Sequence, residues 1–278
     1  MKIGTIIHYK GDIENFKEKL AFLVEAGLES FQLDCWEPEL LTDENADLIR
    51  AAAKEAGVEI SALWCGYSGP RKWNFTEGPT TLGLVPPKYR HQRTRELIRG
   101  CAFAERLGTK DIVSHFGFIP IDPASSLYRG TLAAIKRVGI EAKRRGLHVL
   151  FETGQETPVT LMRVIADSGL DNFGINLDPA NLILYGMANP VDAAEMFGSL
   201  IRGVHGKDGL YPTDPHKLGR ETALMQGKVN YPELIRILHE NGYCGSITIE
   251  REISGEQQLA DIRMAAAKLR EIIASFEN

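Results

Sequence analysis

Short apolar runs alternate with longer amphipathic segments along the whole chain. The apolar runs predict eight strands, which cover residues 3–7, 28–34, 58–64, 110–115, 147–152, 173–178, 201–205 and 246–250. Several runs are almost continuously apolar, which is typical of parallel strands that are covered on both faces. The segments between them have the length and spacing of helices. In the last segment the apolar residues fall on one helical face, namely Leu259, Ile262, Ala266, Leu269 and Ile273.

Glycines mark the junctions at which a predicted helix gives way to a strand. A glycine just past a helix adopts the left-handed conformation at little steric cost. Seven such junctions connect eight strands, at Gly27, Gly57, Gly108, Gly146, Gly169, Gly198 and Gly242. The predicted fold class is therefore α/β, a (β/α)8 TIM barrel that forms a single domain over residues 1–278. A doubly wound open sheet is the alternative, and the lack of a G-x-G-x-x-G motif after the first strand disfavours its dinucleotide-binding form.

Composition and charge narrow the classes of partner. Hydrophobic residues make up 44% of the chain and charged residues 25%, as in ordinary soluble globular proteins. The formal net charge of −5 argues against a nucleic-acid partner, because binding to a polyanion relies on Lys and Arg. No apolar run is long enough for a signal peptide or a membrane span, so we expect a cytoplasmic protein with no membrane partner. The widely spaced cysteines are predicted to be reduced thiols: Cys35, Cys65, Cys101 and Cys244.

Four successive predicted strands, the fifth to the eighth, end in residues that can bind a metal ion. These residues are Glu152, Asp178, His205 and Glu250. All strands of a barrel open onto one face at their carboxyl ends, so the four side chains are expected to converge. Three adjacent carboxylates repel one another unless a cation lies between them. An oxygen-rich site with one imidazole favours Mn²⁺, with Mg²⁺, Co²⁺ or Zn²⁺ as alternatives. Solvated loop carboxylates are the competing interpretation, although it fits a single residue better than four.

Other residues at the predicted rim are candidates for contact with a substrate. His8, Trp36, Trp64 and His115 lie at or just past the ends of the first four strands. Aromatic rings are suitable platforms for a sugar ring, although such residues are also common in cores. Two long strand-to-helix connections, over residues 65–87 and 206–228, are candidate lids because connections of this length are usually functional. The alternative for either connection is a contact between subunits of a homo-oligomer.

The motifs around the last two strands resemble a known family. They are the stretch His205–Asp208, the stretch Gly227–Tyr231, and the run Gly242–Glu250 that ends in the predicted metal ligand. These motifs are similar to those of the xylose isomerase-like TIM-barrel superfamily, and in particular to the sugar phosphate isomerase/epimerase group that contains ketose 3-epimerases. The resemblance covers essentially the whole chain.

The resemblance implies a reaction and a division of roles. In these epimerases the glutamates at the ends of strands five and eight, here Glu152 and Glu250, bind the metal and also move protons on opposite faces of the substrate. The implied activity is a divalent-metal-dependent sugar isomerase or epimerase that moves a proton α to a carbonyl through a metal-bound enediolate. The implied partner is a small sugar or polyol-derived carbonyl compound.

Two positions depart from the ketose 3-epimerase pattern. Asn181 stands where those enzymes have a histidine three residues after the metal-binding aspartate, and Tyr211 stands where they have an arginine six residues after the metal-binding histidine. Both remain candidates for contact with the substrate, but they do not carry over a free ketohexose. Lys207 is a further candidate that adds positive charge near the site, the alternative being a salt bridge with Asp208.

Three other functions stay open. A metal-dependent lyase or dehydratase that acts on an inosose or a keto-glycoside begins with the same proton abstraction. A DNA repair nuclease related to endonuclease IV needs more histidine and aspartate ligands than the rim offers, and the negative charge disfavours it. A sugar-binding barrel without catalytic activity is the third alternative.

Overall fold

Eight parallel strands form a closed barrel in the computed structural model, which describes residues 1–276. The strands of the described residues are β1 (Lys2–His8), β2 (Ser30–Cys35), β3 (Glu59–Cys65), β4 (Asp111–Ser114), β5 (His148–Glu152), β6 (Phe173–Leu177), β7 (Ile201–Gly206), β8 (Asp208–Leu210), β9 (Arg220–Thr222) and β10 (Ser246–Ile249). The barrel consists of β1 to β7 and β10, and β10 pairs in parallel with β1 to close it. The predicted (β/α)8 barrel is therefore confirmed, and the open sheet is excluded.

Helices cover the outside of the barrel. Within residues 1–276 they are α1 (Ile13–Glu25), α2 (Asp43–Ala56), α3 (Gly78–Thr81), α4 (Pro87–Leu107), α5 (Ser126–Arg144), α6 (Pro158–Ser168), α7 (Pro179–Leu184), α8 (Pro190–Phe197), α9 (Tyr231–Glu240) and α10 (Glu256–Ala274), with short 3₁₀ helices at Pro38–Leu40 and Gly198–Leu200. In the same part of the chain, no helix combines the length and apolarity that a membrane span requires.

The helix-to-strand junctions follow the prediction from glycine. All seven predicted junction glycines have positive φ angles, from 51° at Gly198 to 88° at Gly108. Gly57, Gly108 and Gly169 adopt the left-handed conformation that ends the preceding helix and turns the chain back towards the barrel. Gly198 differs, because its ψ is −124° and it begins the 3₁₀ helix Gly198–Leu200. Side-chain caps begin several of the helices. Thr42 and Thr157, for example, accept hydrogen bonds from the backbone N–H groups of Asn45 and Thr160.

The predicted strands differ from the observed ones mainly at their ends. The second strand was expected over residues 28–34 but begins at Ser30, because the backbone N–H of Leu28 still bonds to the preceding helix. The short strands β8 and β9 were not predicted. They form an antiparallel pair inside the long connection after β7, in which Gly209 lies opposite Glu221. All four cysteines are free within residues 1–276, and Cys244 is the exposed one.

The register of the strands determines which side chains enter the barrel. In the pairing of β1 with β2, Ile6 lies opposite Gln32 and His8 opposite Asp34. Alternate residues of a strand face the same side, so these positions share one face of the sheet. Gln32 contacts His205 on the far side of the barrel, which shows that this face is the interior. Polar residues therefore enter the barrel below its carboxyl-end rim.

Candidate metal centre and substrate cavity

The four predicted ligands converge at the carboxyl-end rim of the barrel. Glu152 is the last residue of β5, Asp178 follows β6, His205 lies near the end of β7, and Glu250 follows β10. One potential ligand atom from each residue lies within 4.8 Å of the others. Glu152, Asp178 and His205 are buried, and Glu250 is partly buried. The convergence follows from the barrel topology, because β5, β6, β7 and β10 are consecutive around it.

The chemistry of these atoms fits a divalent cation. His205 Nδ1 lies 3.3 Å from Glu152 Oε1, 3.3 Å from Glu250 Oε2 and 3.6 Å from Asp178 Oδ2. Among the described residues, His205 Nδ1 and Asp178 Oδ2 are buried atoms that have no hydrogen-bond partner. Buried polar atoms nearly always have a partner, so both atoms are available to a ligand at this point. Three carboxylates and one imidazole nitrogen are a donor set that Mn²⁺, Mg²⁺ and related cations accept.

Two amide side chains fix the orientation of His205. Its Nε2 lies 2.9 Å from Gln32 Oε1 and 3.1 Å from Asn176 Nδ2, and Gln32 donates to Asn176 Oδ1 at 3.3 Å. Gln32 Oε1 can only accept and makes the shorter contact, so the proton of His205 is assigned to Nε2, and the amide nitrogen of Asn176, which can only donate, then makes no hydrogen bond to that nitrogen. The lone pair of Nδ1 then points towards the three carboxylates, which is the arrangement that a metal-binding histidine needs. Sequence reasoning missed Gln32 and Asn176, although each is a polar residue within an apolar strand.

The side chain of Lys207 lies against the cluster and does not pair with the carboxylate of Asp208, the next residue in the chain. Its fully buried Nζ is 2.6 Å from Glu252 Oε1, 2.9 Å from Glu250 Oε2 and 3.5 Å from Asp178 Oδ2. The alternative of a salt bridge with Asp208 is therefore wrong. Asp208 instead accepts hydrogen bonds from three backbone N–H groups at the base of the long connection after β7, those of Gly209, Gly227 and Val229.

The charges around the cluster act differently on its carboxyl groups. Burial raises the pKa of Glu250, but Lys207 and His205 outweigh it and hold the pKa well below its usual value. Burial also dominates at Asp178, where it raises the pKa despite the charge of Lys207. Without a cation, Asp178 is therefore the carboxyl group of the cluster in which the effect of burial, which favours the neutral form, outweighs the nearby positive charges.

Aromatic side chains form one wall beside Glu152. The rings of Trp36 and Trp64 are 4.4 Å apart, and those of Trp73 and His115 are 4.9 Å apart. The indole N–H of Trp64 donates to Glu152, and His115 Nε2 lies 3.6 Å from the same carboxylate. Three of these residues were predicted to contact a substrate, whereas Trp73 lies within the long connection after β3 and was not selected. We call Trp36, Trp64, Trp73 and His115 the aromatic wall.

A buried arginine anchors the connection that carries Trp73, one of the four residues of the aromatic wall. Arg93 of α4 donates to the backbone carbonyls of Ser68, Pro70, Thr81 and Gly83, which all belong to the connection between β3 and α4. Its guanidinium group also lies 4.4 Å from the ring centre of Tyr67. These contacts tie the connection to α4.

His8 and Asp34 form a pair at the ends of the adjacent strands β1 and β2, two residues before Trp36 of the aromatic wall in the case of Asp34. Asp34 accepts a hydrogen bond from His8 Nδ1 through Oδ2, while its Oδ1 is buried and lacks a partner within the described residues. This bond raises the pKa of His8. Because Nδ1 is occupied and 53% of the side chain is exposed, Nε2 of His8 is free to contact a ligand. Sequence reasoning placed both His8 and Asp34 at the rim, at the ends of the first two predicted strands, but did not predict that they pair.

One cavity of about 540 Å³ connects these groups. Most of the predicted substrate contacts line it, namely His8, Trp36, Trp64, His115, Asn181 and Lys207, together with the carboxylates Glu152 and Glu250. Tyr211 lies outside the lining, is 43% exposed and donates to the carbonyl of Ala188. Gln155 also lines the cavity. Its amide atoms are buried and have no hydrogen-bond partner among residues 1–276, which makes it a further candidate that sequence reasoning missed.

The fold and the cluster together define a (β/α)8 barrel with a candidate divalent-metal centre at its carboxyl-end rim. The chain belongs to the xylose isomerase-like TIM barrel family, whose model matches residues 20–272. The membership that the sequence motifs indicated is therefore confirmed.

Solved structures of similar proteins agree with this assignment. The chain is 31% identical to a xylose isomerase domain protein from Planctomyces limnophilus, with a TM-score of 0.90 over 98% of this chain and 96% of that one. A D-tagatose 3-epimerase-like protein is 18% identical, with a TM-score of 0.76 over 100% of both chains. A xylose isomerase-like TIM barrel protein from Mycobacterium smegmatis, solved in complex with magnesium, is 17% identical, with a TM-score of 0.74 over 99% of this chain and 97% of that one.

Proposed function

We propose that this protein is a divalent-metal-dependent sugar isomerase or epimerase that moves a proton on a carbon next to a carbonyl group. The observation that carries the proposal is the placement of Glu152 and Glu250. Each presents a carboxylate oxygen 3.3 Å from His205 Nδ1, and both line the same cavity. Family membership and the fold shared with a D-tagatose 3-epimerase-like protein support sugar chemistry at this place.

The two glutamates are assigned opposite tasks in the reaction. One removes the proton α to the carbonyl, and the other returns a proton to the opposite face of the carbon or to its neighbour. A divalent cation held by Glu152, Asp178, His205 and Glu250 supplies positive charge that stabilises negative charge developing on the substrate oxygens. We propose Mn²⁺ as the physiological ion, with Mg²⁺, Co²⁺ and Zn²⁺ as alternatives.

The residues around Glu152 and Glu250 contact their carboxylates, set the charge beside them and shield them from water. Trp64 and His115 approach Glu152, while Lys207 and Glu252 form a charged chain behind Glu250. The aromatic wall gives the cavity an apolar side, on which the C–H face of a sugar ring can lie. Asn181 and Gln155 supply amide groups for substrate hydroxyls.

The test is a panel of ketoses and keto-glycosides that is incubated with the Mn²⁺-loaded protein in deuterated water. We expect deuterium to enter one carbon-bound position of a substrate whose carbon skeleton stays intact, and NMR identifies that position. Absence of deuterium from every member of the panel contradicts the proposal. Exchange that persists in a protein with both Glu152→Gln and Glu250→Gln contradicts the assigned roles, and Glu55→Gln, on the exposed surface of α2, is the matched control.

The pair of His8 and Asp34 favours a second candidate function, that of a metal-dependent lyase or dehydratase. Such an enzyme must protonate a departing oxygen after the first proton is removed, and a histidine that faces the cavity is suited to this step. The same panel separates the two functions. Release of water or of an aglycone supports the lyase, whereas exchange into an intact substrate supports the isomerase.

A further inference from the structure

The cavity continues beyond the metal cluster into a space between two helices. Its lining includes side chains of α1 and α10, which are Lys19, Phe22, Gln258, Leu259 and Ile262. We call this part the outer lobe. Lys19 Nζ donates to the backbone carbonyl of His8 at 2.9 Å, so the outer lobe borders His8. A molecule held at the cluster can therefore reach the outer lobe past His8.

The size of the cavity exceeds what a single sugar ring requires. Its volume of about 540 Å³ lies in the range of roughly 300–1,000 Å³ that encloses drug-sized ligands. The end of the cavity between the aromatic wall and the metal cluster already offers the groups that the proposed reaction uses. The outer lobe contributes none of those groups, so its space is available for a second part of the substrate.

The side chains of the outer lobe indicate the chemistry of that second part. Phe22, Leu259 and Ile262 present apolar surface, and Gln258 is engaged by its bond to the carbonyl of Arg251 at 2.8 Å. Two of these residues, Leu259 and Ile262, lie on the inner side of α10 and keep this surface continuous.

The cations along the cavity argue against a phosphate group. Arg251 is paired with Glu221 at 2.9 Å and with Asp261 at 2.7 Å. Lys207 is similarly paired with Glu250 of the cluster and with Glu252. Arg263, whose guanidinium group lies 4.8 Å from the ring centre of Phe22, is paired with Glu25 at 3.0 Å. Phosphate recognition relies on arginine and lysine donors that are free to bind it. Lys19 is a weak substitute for such a set, so the outer lobe is better suited to an uncharged group.

We propose that the substrate is a sugar that carries a second, uncharged and largely apolar unit, which occupies the outer lobe. A glycoside meets this description, with the oxygen that joins its two parts close to His8. The inference rests on the proposed function, because that function places the sugar carbonyl at the metal cluster. The inference is tested by ligand binding, whereas the proposed function is tested by turnover, so the failure of one can be distinguished from the failure of the other.

The experiment compares non-reacting glycosides that differ only in the second unit. Methyl, cyclohexyl and phosphorylated forms of gluco-, galacto- and xylo-configured sugars are titrated into the Mg²⁺-loaded protein. All three tryptophans of the chain line the cavity or its wall, so intrinsic fluorescence reports binding there. We expect the cyclohexyl glycoside of at least one pair to bind about tenfold more tightly than the methyl glycoside, from the apolar area that it buries. The phosphorylated sugars should show no such gain.

Two variants locate the effect in the outer lobe. Leu259→Phe narrows the lobe without adding a tryptophan, and Phe22→Leu reduces its apolar wall without a large loss of volume, so each should reduce the cyclohexyl advantage to less than about threefold. Leu48→Phe, at an exposed position of α2, is the matched control and should keep the full advantage. Thermal unfolding verifies that each variant is folded.

Three results overturn the inference. The first is equal affinity, or no measurable binding, for the methyl and cyclohexyl forms in every pair. The second is an advantage that both outer-lobe variants retain. Neither result depends on turnover, whereas a missing deuterium exchange contradicts the proposed function alone. A tenfold gain for the phosphorylated forms would assign the lobe to phosphate and also contradict the inference.

Discussion

Glu152 and Glu250 are both glutamates of one cluster, but the side chains that contact their carboxylates differ between the two sides of the cavity. On the β5 side, Glu152 is almost completely enclosed and contacts the uncharged indole N–H of Trp64 and the ring of His115. On the β10 side, Glu250 keeps 18% of its side chain exposed and contacts the fully buried amine of Lys207. One carboxylate is stabilised mainly by hydrogen bonds and imidazoles, the other by a full positive charge.

The difference shows in the pKa values of the two groups. Burial raises the pKa of Glu152, but His115 and His205 lower it to a net value below normal. The stronger charge of Lys207 holds the pKa of Glu250 well below its usual value. Two acid–base groups with different environments are suited to different steps of a proton transfer.

The largest expected effect concerns the roles of the two glutamates themselves. If each serves one face of the substrate, Glu152→Gln blocks exchange that starts from one epimer and Glu250→Gln blocks exchange that starts from the other. Each loss should be about 10²- to 10⁴-fold, which is typical of a removed general base. Deuterium incorporation, measured by NMR from each epimer separately, tests this expectation. Equal losses from both epimers in both variants would show that the two sides do not divide the work.

The next effect concerns the charge on the Glu250 side. Lys207→Met removes the amine that lies between Glu250, Glu252 and Asp178 and leaves their charges without this partner. We expect the free energy of unfolding to fall by about 3 kcal/mol in the presence of a chelator, as for other broken buried ion pairs. Urea denaturation measures the change.

The matched control for Lys207 is Lys143→Met. Lys143 forms an exposed pair with Asp171, so its loss should cost less than about 1 kcal/mol. Comparable losses in the two variants would show that the buried amine has no special role. Added Mn²⁺ should restore part of the stability of Lys207→Met, since a cation in the cluster partly replaces the missing charge.

A smaller effect concerns His205, the predicted metal ligand that lies 3.3 Å from both Glu152 and Glu250. Gln32→Leu removes the acceptor that fixes the proton of His205 on Nε2. Loss of such a partner typically weakens metal affinity by about 10- to 100-fold, which calorimetric titration with Mn²⁺ measures. Gln226→Leu, at an exposed position, is the control. Unchanged affinity in Gln32→Leu would mean that the histidine is oriented by the barrel backbone alone.

The sequence predicts this site well where strand periodicity determines it. Glu152, Asp178, His205 and Glu250 are each set by the end of one strand, and barrel closure then brings them together without further information. The partners that distinguish the two sides depend on longer relationships. Gln32 contacts His205 across the barrel, which requires the register of β2 against strands that are not its neighbours.

Irregular segments explain the remaining errors of the sequence analysis. Trp73 joins the aromatic wall because Arg93 binds the carbonyl groups of its connection, and no periodic pattern encodes such contacts. Lys207 was expected either to face the substrate or to pair with the adjacent Asp208. Only the second expectation is wrong, because Asp208 accepts hydrogen bonds from backbone N–H groups, whereas Lys207 lines the cavity and donates to Glu252, which lies beyond β10.

A third glutamate, Glu156, shows how burial changes the pKa of a carboxyl group that has no positive charge beside it. It follows Glu152 by four residues and is buried, and burial raises its pKa to about 8. The folded protein therefore holds this proton more tightly than the unfolded chain, whose glutamate has a pKa near 4.5. Below pH 4.5 both states are protonated and the group has no effect on stability. As the pH rises from there to about 8, the unfolded chain alone loses the proton, so stability falls by about 1.4 kcal/mol per pH unit.

Glu156→Gln should remove this slope because the amide does not ionise. The free energy of unfolding, measured by urea denaturation between pH 5 and pH 8, should decline less steeply in the variant than in the parent protein, by about 1.4 kcal/mol per unit. Glu55→Gln, at an exposed position, should leave the slope unchanged. A parent slope equal to that of Glu156→Gln would mean that Glu156 ionises in the folded protein as it does in the unfolded chain, and that its burial does not keep the carboxyl group neutral.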